Sequence, residues 1–302
     1  MKNLKFFILT TFVLLLNSCS VLTKSQIKNI NAFAATAEKY AIFPGEVPRQ
    51  RASLFLEERL VQTILFSNAD NIKLNINKAI DNYDALLQSA DKFDLSLLLI
   101  QQYASLLNKL SSKDFVGSLN SNNNNLNDNL GSLVKIANVK LTNKIPITVS
   151  DAITKVIFLV GQKLTIGRQA KALKEFIPQG QILITITMQN IEEALVSMKD
   201  LLAQDKTKYI NTYTAIIFND AGKMNYVNIR QYVTALNNFE NIEQLRIQSI
   251  SAARKLSIAH TKLQERILVK DDLMEIYSET QDFILSLQDL YKTYEKLITV
   301  KK

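Results

Sequence analysis

The sequence has few of the residues that enzymes and metal sites use most. Its 302 residues include one cysteine, Cys19, one histidine, His260, and no tryptophan. A single thiol excludes an internal disulfide framework and a cysteine-rich zinc site, and a single histidine excludes a multi-histidine metal site. We therefore expect no metal and no cofactor, and a fold that is held together by its core alone.

Residues that interrupt regular structure are also scarce. The chain has seven glycines and four prolines, and 47% of its residues are hydrophobic. Few breakers indicate long regular elements, and an abundance of Leu, Ile, Lys, Gln and Glu favours helices over strands. The composition therefore predicts an all-α fold, a bundle of long amphipathic helices that occupies residues 49–302.

The first nineteen residues form three physically distinct zones. Lys2 and Lys5 give a positive start, and residues 6–16 are apolar except for two threonines. That stretch is shorter than the roughly 20 residues that span a bilayer, but its length is typical of a signal-peptide core. The sequence Leu16-Asn17-Ser18-Cys19 follows, with an apolar residue three positions before a cysteine and a small residue directly before it. This arrangement resembles the lipobox of bacterial lipoproteins.

The resemblance implies a processing route and a location. The signal peptide, residues 1–18, is expected to be removed, and Cys19 to carry diacylglycerol and a further acyl group such as palmitate. Two or three acyl chains anchor a protein stably, at about 0.8 kcal/mol per buried CH₂. Ser20 permits transfer to the outer membrane, since an aspartate there favours retention. In some lineages, acidic residues soon after the cysteine mark a lipoprotein for display on the cell surface. Here the first acidic residue is Glu38, so we expect the protein to face the periplasm.

Residues 19–48 are expected to contain the lipidated cysteine and then either a tether or a first helix. Ile27, Ile30, Ala34 and Ala37 have helical spacing. Two prolines within 44–48 interrupt that pattern, because proline cannot continue a helix.

Apolar residues that recur every three or four positions predict the other helices. These helices are expected at about 54–90 with a break near 67–70, and at 94–110, 150–178, 181–219, 227–267 and 272–298. Ser150 is expected to cap its helix, and Asp272 with Glu275 forms a capping-box pattern. Residues 132–149 are ambiguous, with helical spacing first and an extended segment after it. The β-branched runs 182–187 and 213–218 continue the pattern of their flanking helices, so we expect helix there.

Residues 117–131 differ from the rest of the chain. They contain a run of asparagines and little apolar surface, which is typical of a segment that gains too little from burial to become ordered. The pattern predicts a disordered, exposed loop.

The candidate catalytic residues form no recognisable constellation. His260 lies near Leu256 and Leu263 and lacks the spacing of a second metal ligand on its helix, so we expect a histidine beside the core or on the surface. Paired carboxylates occur at Glu57-Glu58, Glu192-Glu193 and Asp271-Asp272. Adjacent helical residues point about 100° apart, so neither member of a pair converges with the other on one site. We predict that the chain is not an enzyme. A hydrolase that uses Asp and Glu alone remains an alternative.

The segment from Ile153 to Ile177 carries a second set of alternatives. Its apolar part, 153–166, is interrupted by charged and polar residues and does not predict a membrane-spanning helix. It is nevertheless the basis of one alternative, a helical pore-forming or membrane-remodelling protein. Arg168, Lys171 and Lys174, spaced by three, predict a small basic patch for an anionic lipid or polymer, or else the charged edge of a buried helix.

The net charge of +8 at pH 7 falls by two when the signal lysines are removed. A mild basic excess suits anionic headgroups or envelope polymers, and nucleic acid is not an expected partner of an exported protein. The leading hypothesis is a lipid-anchored, non-enzymatic bundle that binds or scaffolds another envelope component, a protein or a polymer.

Overall fold

The protein is a bundle of long helices, in agreement with the predicted all-α fold class. The computed structural model describes residues 22–112, 123–146, 149, 166–219, 226–267 and 273–299, and these ranges contain helices and no strand. The helices are α1 Lys24–Tyr40, α2 Glu46–Phe66, α3 Ile72–Ser111, α4 Asn123–Lys140, α5 Ile166–Asn219, α6 Tyr226–Ile267 and α7 Leu273–Thr299, with a 3₁₀ turn at Ala69–Asn71. The predictions for the signal peptide, Cys19, Ser150, the segment 153–165 and the Asp271-Asp272 pair lie outside the described residues.

Residues Lys24–Tyr40 form a first helix rather than a tether. Thr23 and Gln26 form a capping box, in which each side chain accepts a hydrogen bond from the other residue's backbone N–H, at 3.1 and 2.9 Å. Ile30 and Phe33 of this helix are fully buried. The helix ends at Tyr40, and α2 places Pro48 in its first turn, where a missing N–H costs no hydrogen bond.

Helix α3 differs from its prediction, because the expected interruption near residues 90–94 is absent. The helix is continuous over 40 residues. Ala90, Phe93 and Leu97 are all buried on the side that faces the bundle, so the apolar face runs through the expected break. The break predicted near residues 67–70 is present, since α2 ends at Phe66.

Helix α4 overlaps the predicted asparagine-rich loop and corrects it. Residues 123–131, assigned to a disordered loop from composition, are helical, whereas residues 117–122 lie outside the described part of the chain. The second half of α4 packs against α3 through the buried residues Val134 and Ala137. Leucines at positions 126, 130 and 133 continue the same helical spacing backwards. The loop was predicted from the asparagine content, which does not take the helical spacing of these leucines into account.

Helix α5 corrects a second prediction, that a helix ends at Pro178. The helix runs through the proline and spans 54 residues. An internal proline costs about 3 kcal/mol or more. Phe176, Ile177, Leu183 and Ile184 flank it and are fully buried, and each such burial is worth about 1.5–3 kcal/mol. Packing on both sides of Pro178 therefore outweighs its local cost.

Contacts between helices define the direction in which each helix runs. Asn31 of α1 accepts a hydrogen bond from Ser111 at the end of α3, and Gln169 near the start of α5 donates to the Leu110 and Ser112 carbonyls at 2.9 Å each. The rings of Phe33 and His260 lie 5.5 Å apart, which places the end of α6 alongside them. We call this the α1 end of the bundle. It comprises residues 24–31, 105–112, 166–177, 260–267 and 273–278.

The opposite end is built from other parts of the same helices. Arg51 of α2 bonds to Asp205 of α5, and Thr212 further along α5 bonds to Glu58. Helices α2 and α5 are therefore parallel, and α2 leads away from the α1 end. We call this far region, residues 57–66, 69–85, 205–219 and 226–240, the α2 end. At 1.5 Å per residue, α5 alone is about 80 Å long, so the two ends are far apart.

Candidate functional site

A buried polar cluster surrounds His260, which the sequence placed beside the core or on the surface. The imidazole is fully buried. Its Nε2 atom lies 2.7 Å from the Tyr103 hydroxyl and its Nδ1 atom 2.6 Å from Oε1 of Gln181. Gln181 uses its amide nitrogen to donate to Thr185 and Thr261, so Oε1 is an acceptor and Nδ1 carries the proton. His260 is therefore neutral and accepts the Tyr103 O–H.

Burial and packing around this cluster explain its protonation. Removal from water disfavours the imidazolium ion, and burial lowers the pKa of His260 to about 3. Tyr103 also stacks on Phe176, with ring centres 5.0 Å apart. Gly180 makes this possible, since a Cβ atom at that position would overlap the Tyr103 ring. The cluster joins α3, α5 and α6, with His260 and Tyr103 fully buried and Gln181 partly exposed at its edge.

A second polar cluster lies between α2 and α5 and includes one of the predicted carboxylate pairs. Glu57 accepts hydrogen bonds from the hydroxyls of Tyr209 and Tyr213 at 2.8 and 3.2 Å. Glu58, which is buried, accepts a hydrogen bond from Thr212 at 2.8 Å. Burial, and to a smaller extent the charge of Glu57, raises the pKa of Tyr213 to about 12. The two carboxylates therefore point to different partners, as adjacent helical residues are expected to do.

A salt bridge lies in the same interface between α2 and α5, which we call the seam. Arg51 Nε lies 2.7 Å from a carboxylate oxygen of Asp205, and their side chains are 11% and 8% exposed. Because an unpaired charge is costly at this depth, the pair holds α2 in one register on α5. Neither residue stood out in the sequence, since the two are 154 positions apart and belong to no motif.

The other predicted carboxylates lie on the surface or outside the described residues. Glu192 pairs with Arg254 of α6, and Glu193 accepts hydrogen bonds from Gln189 and Asn143. The Glu192-Glu193 pair thus contributes to helix packing at the surface. Asp271 and Asp272 are not among the described residues.

The predicted basic patch lies in the first turns of α5, at the α1 end. Lys171 is 77% exposed and lies 4.0 Å from Glu175, and Lys174 is half-buried. Arg168 is on the same helix, although its side chain is not among those described. The hydrogen bonds of Gln169 to α3 hold this part of α5 in place.

A groove that the sequence did not reveal runs between α1 and α7. It has a volume of about 570 Å³, and Ile42, Phe43, Ile284, Leu287 and Tyr291 are among its lining residues. Ile42 is 58% exposed and Tyr291 is 50% exposed. The apolar face of α7 is therefore wider than the part that it buries against the bundle, and its exposed edge lines this groove.

The described residues contain neither a metal-binding cluster nor a membrane-spanning helix. Within the described ranges, no three or more His, Cys, Asp or Glu side chains are arranged to hold a metal ion. Among the helices described, none is long and apolar enough to cross a membrane. No protein-family model, no curated protein and no solved structure matches this chain.

Proposed function

We propose that this chain is a bacterial lipoprotein whose helical bundle binds or scaffolds another component of the cell envelope and catalyses no reaction. The observation that carries the proposal is the position of Cys19, the one cysteine of the chain, at the end of a signal-like segment with a lipobox. The bundle begins directly after it. Leu22 is buried and α1 starts at Lys24, so an acyl group on Cys19 would tether the fold itself through a very short connection.

The internal contacts of the polar side chains support a binding role rather than a catalytic one. His260 is buried and satisfied by Tyr103 and Gln181. Glu57 and Glu58 accept hydrogen bonds from α5. A general acid or base has to reach substrate within hydrogen-bonding distance, and these groups are engaged with neighbouring helices instead.

The anchor is tested by producing the chain in a bacterial host with a palmitate analogue that can be tagged. The wild-type protein is expected to be labelled and to sediment with membranes, and its N-terminal peptide to carry the mass of a diacylglyceryl cysteine. Cys19→Ser is expected to remain unlabelled and uncut, while Ser20→Ala, a matched control, is labelled normally. Equal labelling of the wild type and Cys19→Ser would contradict the proposal.

The predicted location in the outer membrane is tested separately. Ser20→Asp is expected to move the protein from outer-membrane to inner-membrane fractions of a density gradient, with labelling unchanged. A wild-type protein found in the inner membrane would overturn the outer-membrane assignment and leave the anchor intact.

The absence of catalysis is tested with purified cell-wall glycan as the substrate. No soluble fragments are expected after prolonged incubation. Release of fragments by the wild type, but not by a folded Glu57→Gln/Glu58→Gln variant, would replace the scaffolding proposal with the hydrolase alternative.

A further inference from the structure

The charges of the bundle are divided unequally between its two ends. The described side chains of the α1 end include seven basic ones and two acidic ones. The basic residues are Lys24, Lys28, Lys109, Lys171, Lys174, Lys262 and Arg266, and the acidic residues are Glu175 and Glu265. Lys171 pairs with Glu175, and Lys262 pairs with Glu265. The α1 end nevertheless has a clear excess of basic over acidic side chains.

The α2 end shows no such excess. Its described residues include six basic side chains and seven acidic ones. The basic residues are Arg59, Lys73, Lys78, Lys206, Lys208 and Arg230, and the acidic residues are Glu57, Glu58, Asp70, Asp81, Asp84, Asp205 and Glu240. The positive charge of the protein is therefore concentrated at one end of the long axis.

Sequence alone did not reveal this concentration, because it arises from four helices, α1, α3, α5 and α6. The Arg168, Lys171 and Lys174 patch belongs to α5, whereas Lys24 and Lys28 belong to α1 and are both exposed. The contact of Asn31 with Ser111, together with the bonds from Gln169 to the end of α3, brings these two groups to the same end.

The basic end is also the end nearest to the proposed anchor. Leu22, which is buried in the bundle, follows Cys19 by three residues. Three residues span about 10 Å when fully extended, and the Debye length is about 8 Å at physiological salt. Because these two lengths are similar, an acyl chain on Cys19 would keep the start of α1 close to the headgroup charges.

We propose that the α1 end is a membrane-facing surface that binds anionic phospholipid headgroups through Lys24 and Lys28 of α1 and Lys171 and Lys174 of α5. This inference rests on the lipid anchor proposed above. Each lysine near an anionic surface strengthens attachment by roughly fivefold. The contact orients the long axis of the bundle away from the bilayer and presents the α2 end to partners far from the membrane.

The test measures the reactivity of individual lysines on the acylated protein in vesicles. The protein is reconstituted in phosphatidylcholine alone or mixed with phosphatidylglycerol, treated briefly with an amine-acetylating reagent and analysed by mass spectrometry. Lys24, Lys28 and Lys171 are expected to react severalfold more slowly in the anionic vesicles, while Lys73 and Lys78 react equally in both. The difference is expected to disappear in 1 M salt, where the Debye length is about 3 Å.

Charge-reversal variants provide the matched comparison. Lys24→Glu/Lys28→Glu is expected to abolish the protection of Lys171. Lys73→Glu/Lys78→Glu makes the same change of net charge at the α2 end, on exposed positions, and is expected to leave that protection intact. Circular dichroism and thermal melting verify that both variants are folded. Equal reactivity of Lys171 in the two vesicle types, or equal effects of the two variants, would overturn the proposal.

The same mass spectra distinguish a failure of the membrane-facing surface from a failure of the lipid anchor. An acylated Cys19 without lysine protection refutes the membrane-facing surface and retains the lipoprotein. If Cys19 carries no acyl group, the protein is added to the vesicles from solution, and protection of Lys24, Lys28 and Lys171 then supports the surface while the anchor is refuted.

Discussion

The Nε2 atom of His260 accepts a hydrogen bond from the Tyr103 hydroxyl at 2.7 Å, across 157 positions of sequence. Both side chains are fully buried. The contact ties α6 to α3, and Gln181 on the other ring nitrogen extends it to α5. One neutral imidazole thus joins three of the longest helices in the bundle.

Removal of the Tyr103 hydroxyl is expected to destabilise the protein. Tyr103→Phe keeps the ring against Phe176 but leaves the Nε2 acceptor of His260 buried without a donor. An unsatisfied buried group costs about 1–3 kcal/mol, and urea denaturation measures that loss. Tyr277→Phe, at a tyrosine that is 59% exposed, is the control and is expected to change stability by less than about 0.5 kcal/mol. Equal effects of the two variants would show that the hydroxyl has no role in stability.

Stability is expected to fall in acid through His260. Its pKa is about 6.5 when unfolded and about 3 when folded, so the unfolded chain binds the proton more readily. Its contribution is complete above pH 6.5 and declines progressively as the pH falls to about 3, by a few kcal/mol in order of magnitude. Carboxylates also titrate in this range, so His260→Gln, which retains them, is the reference. Its free energy of unfolding is expected to depend less steeply on pH between 6 and 4, and identical slopes would contradict the assignment.

The sequence predicted the helices better than their ends. The stripes of α6 and α7 give the observed ranges within a residue or two, because these helices bury one continuous face. Pro178 and the asparagines before Gly131 misled the prediction, since local propensity disfavours helix at both places. At Pro178 the outcome depends on residues from other helices that bury its neighbours, and a single helix does not encode that information.

The polar clusters were beyond sequence reasoning for a related reason. His260, Tyr103 and Gln181 come from three helices and share no spacing, and the same holds for Arg51 and Asp205. Their partnership depends on the register of helices whose contacting residues lie 79 to 157 positions apart in the sequence. The basic patch of α5 was visible because its three residues lie on one helix, whereas its neighbours on α1 became apparent only in the folded bundle.

Gly180 is expected to resist a substitution that normally stabilises helices. Gly→Ala inside a helix gains about 1 kcal/mol from propensity. At Gly180 the new methyl group would overlap the Tyr103 ring, and overpacking of this kind costs about 1–3 kcal/mol. Gly180→Ala is therefore expected to lower the melting temperature. In a Tyr103→Ala background the same change is expected to be neutral or stabilising, and a double-mutant cycle measures the coupling. Additive effects would show that the ring and the glycine are independent.

The buried ion pair between α2 and α5 is expected to be sensitive to the loss of one partner. Asp205→Ala leaves Arg51 charged and largely buried, which costs about 3–5 kcal/mol. Asp289→Ala removes one partner of a pair in which Lys292 is 69% exposed and Asp289 64% exposed, and it is expected to cost less than about 1 kcal/mol. The double variant Arg51→Leu/Asp205→Leu is expected to be more stable than Asp205→Ala, because it leaves no isolated charge in the seam. Chemical denaturation measures the free energy of unfolding of the three variants and so tests this order. If Asp205→Ala proves as mild as Asp289→Ala, the seam between α2 and α5 is open to water in solution.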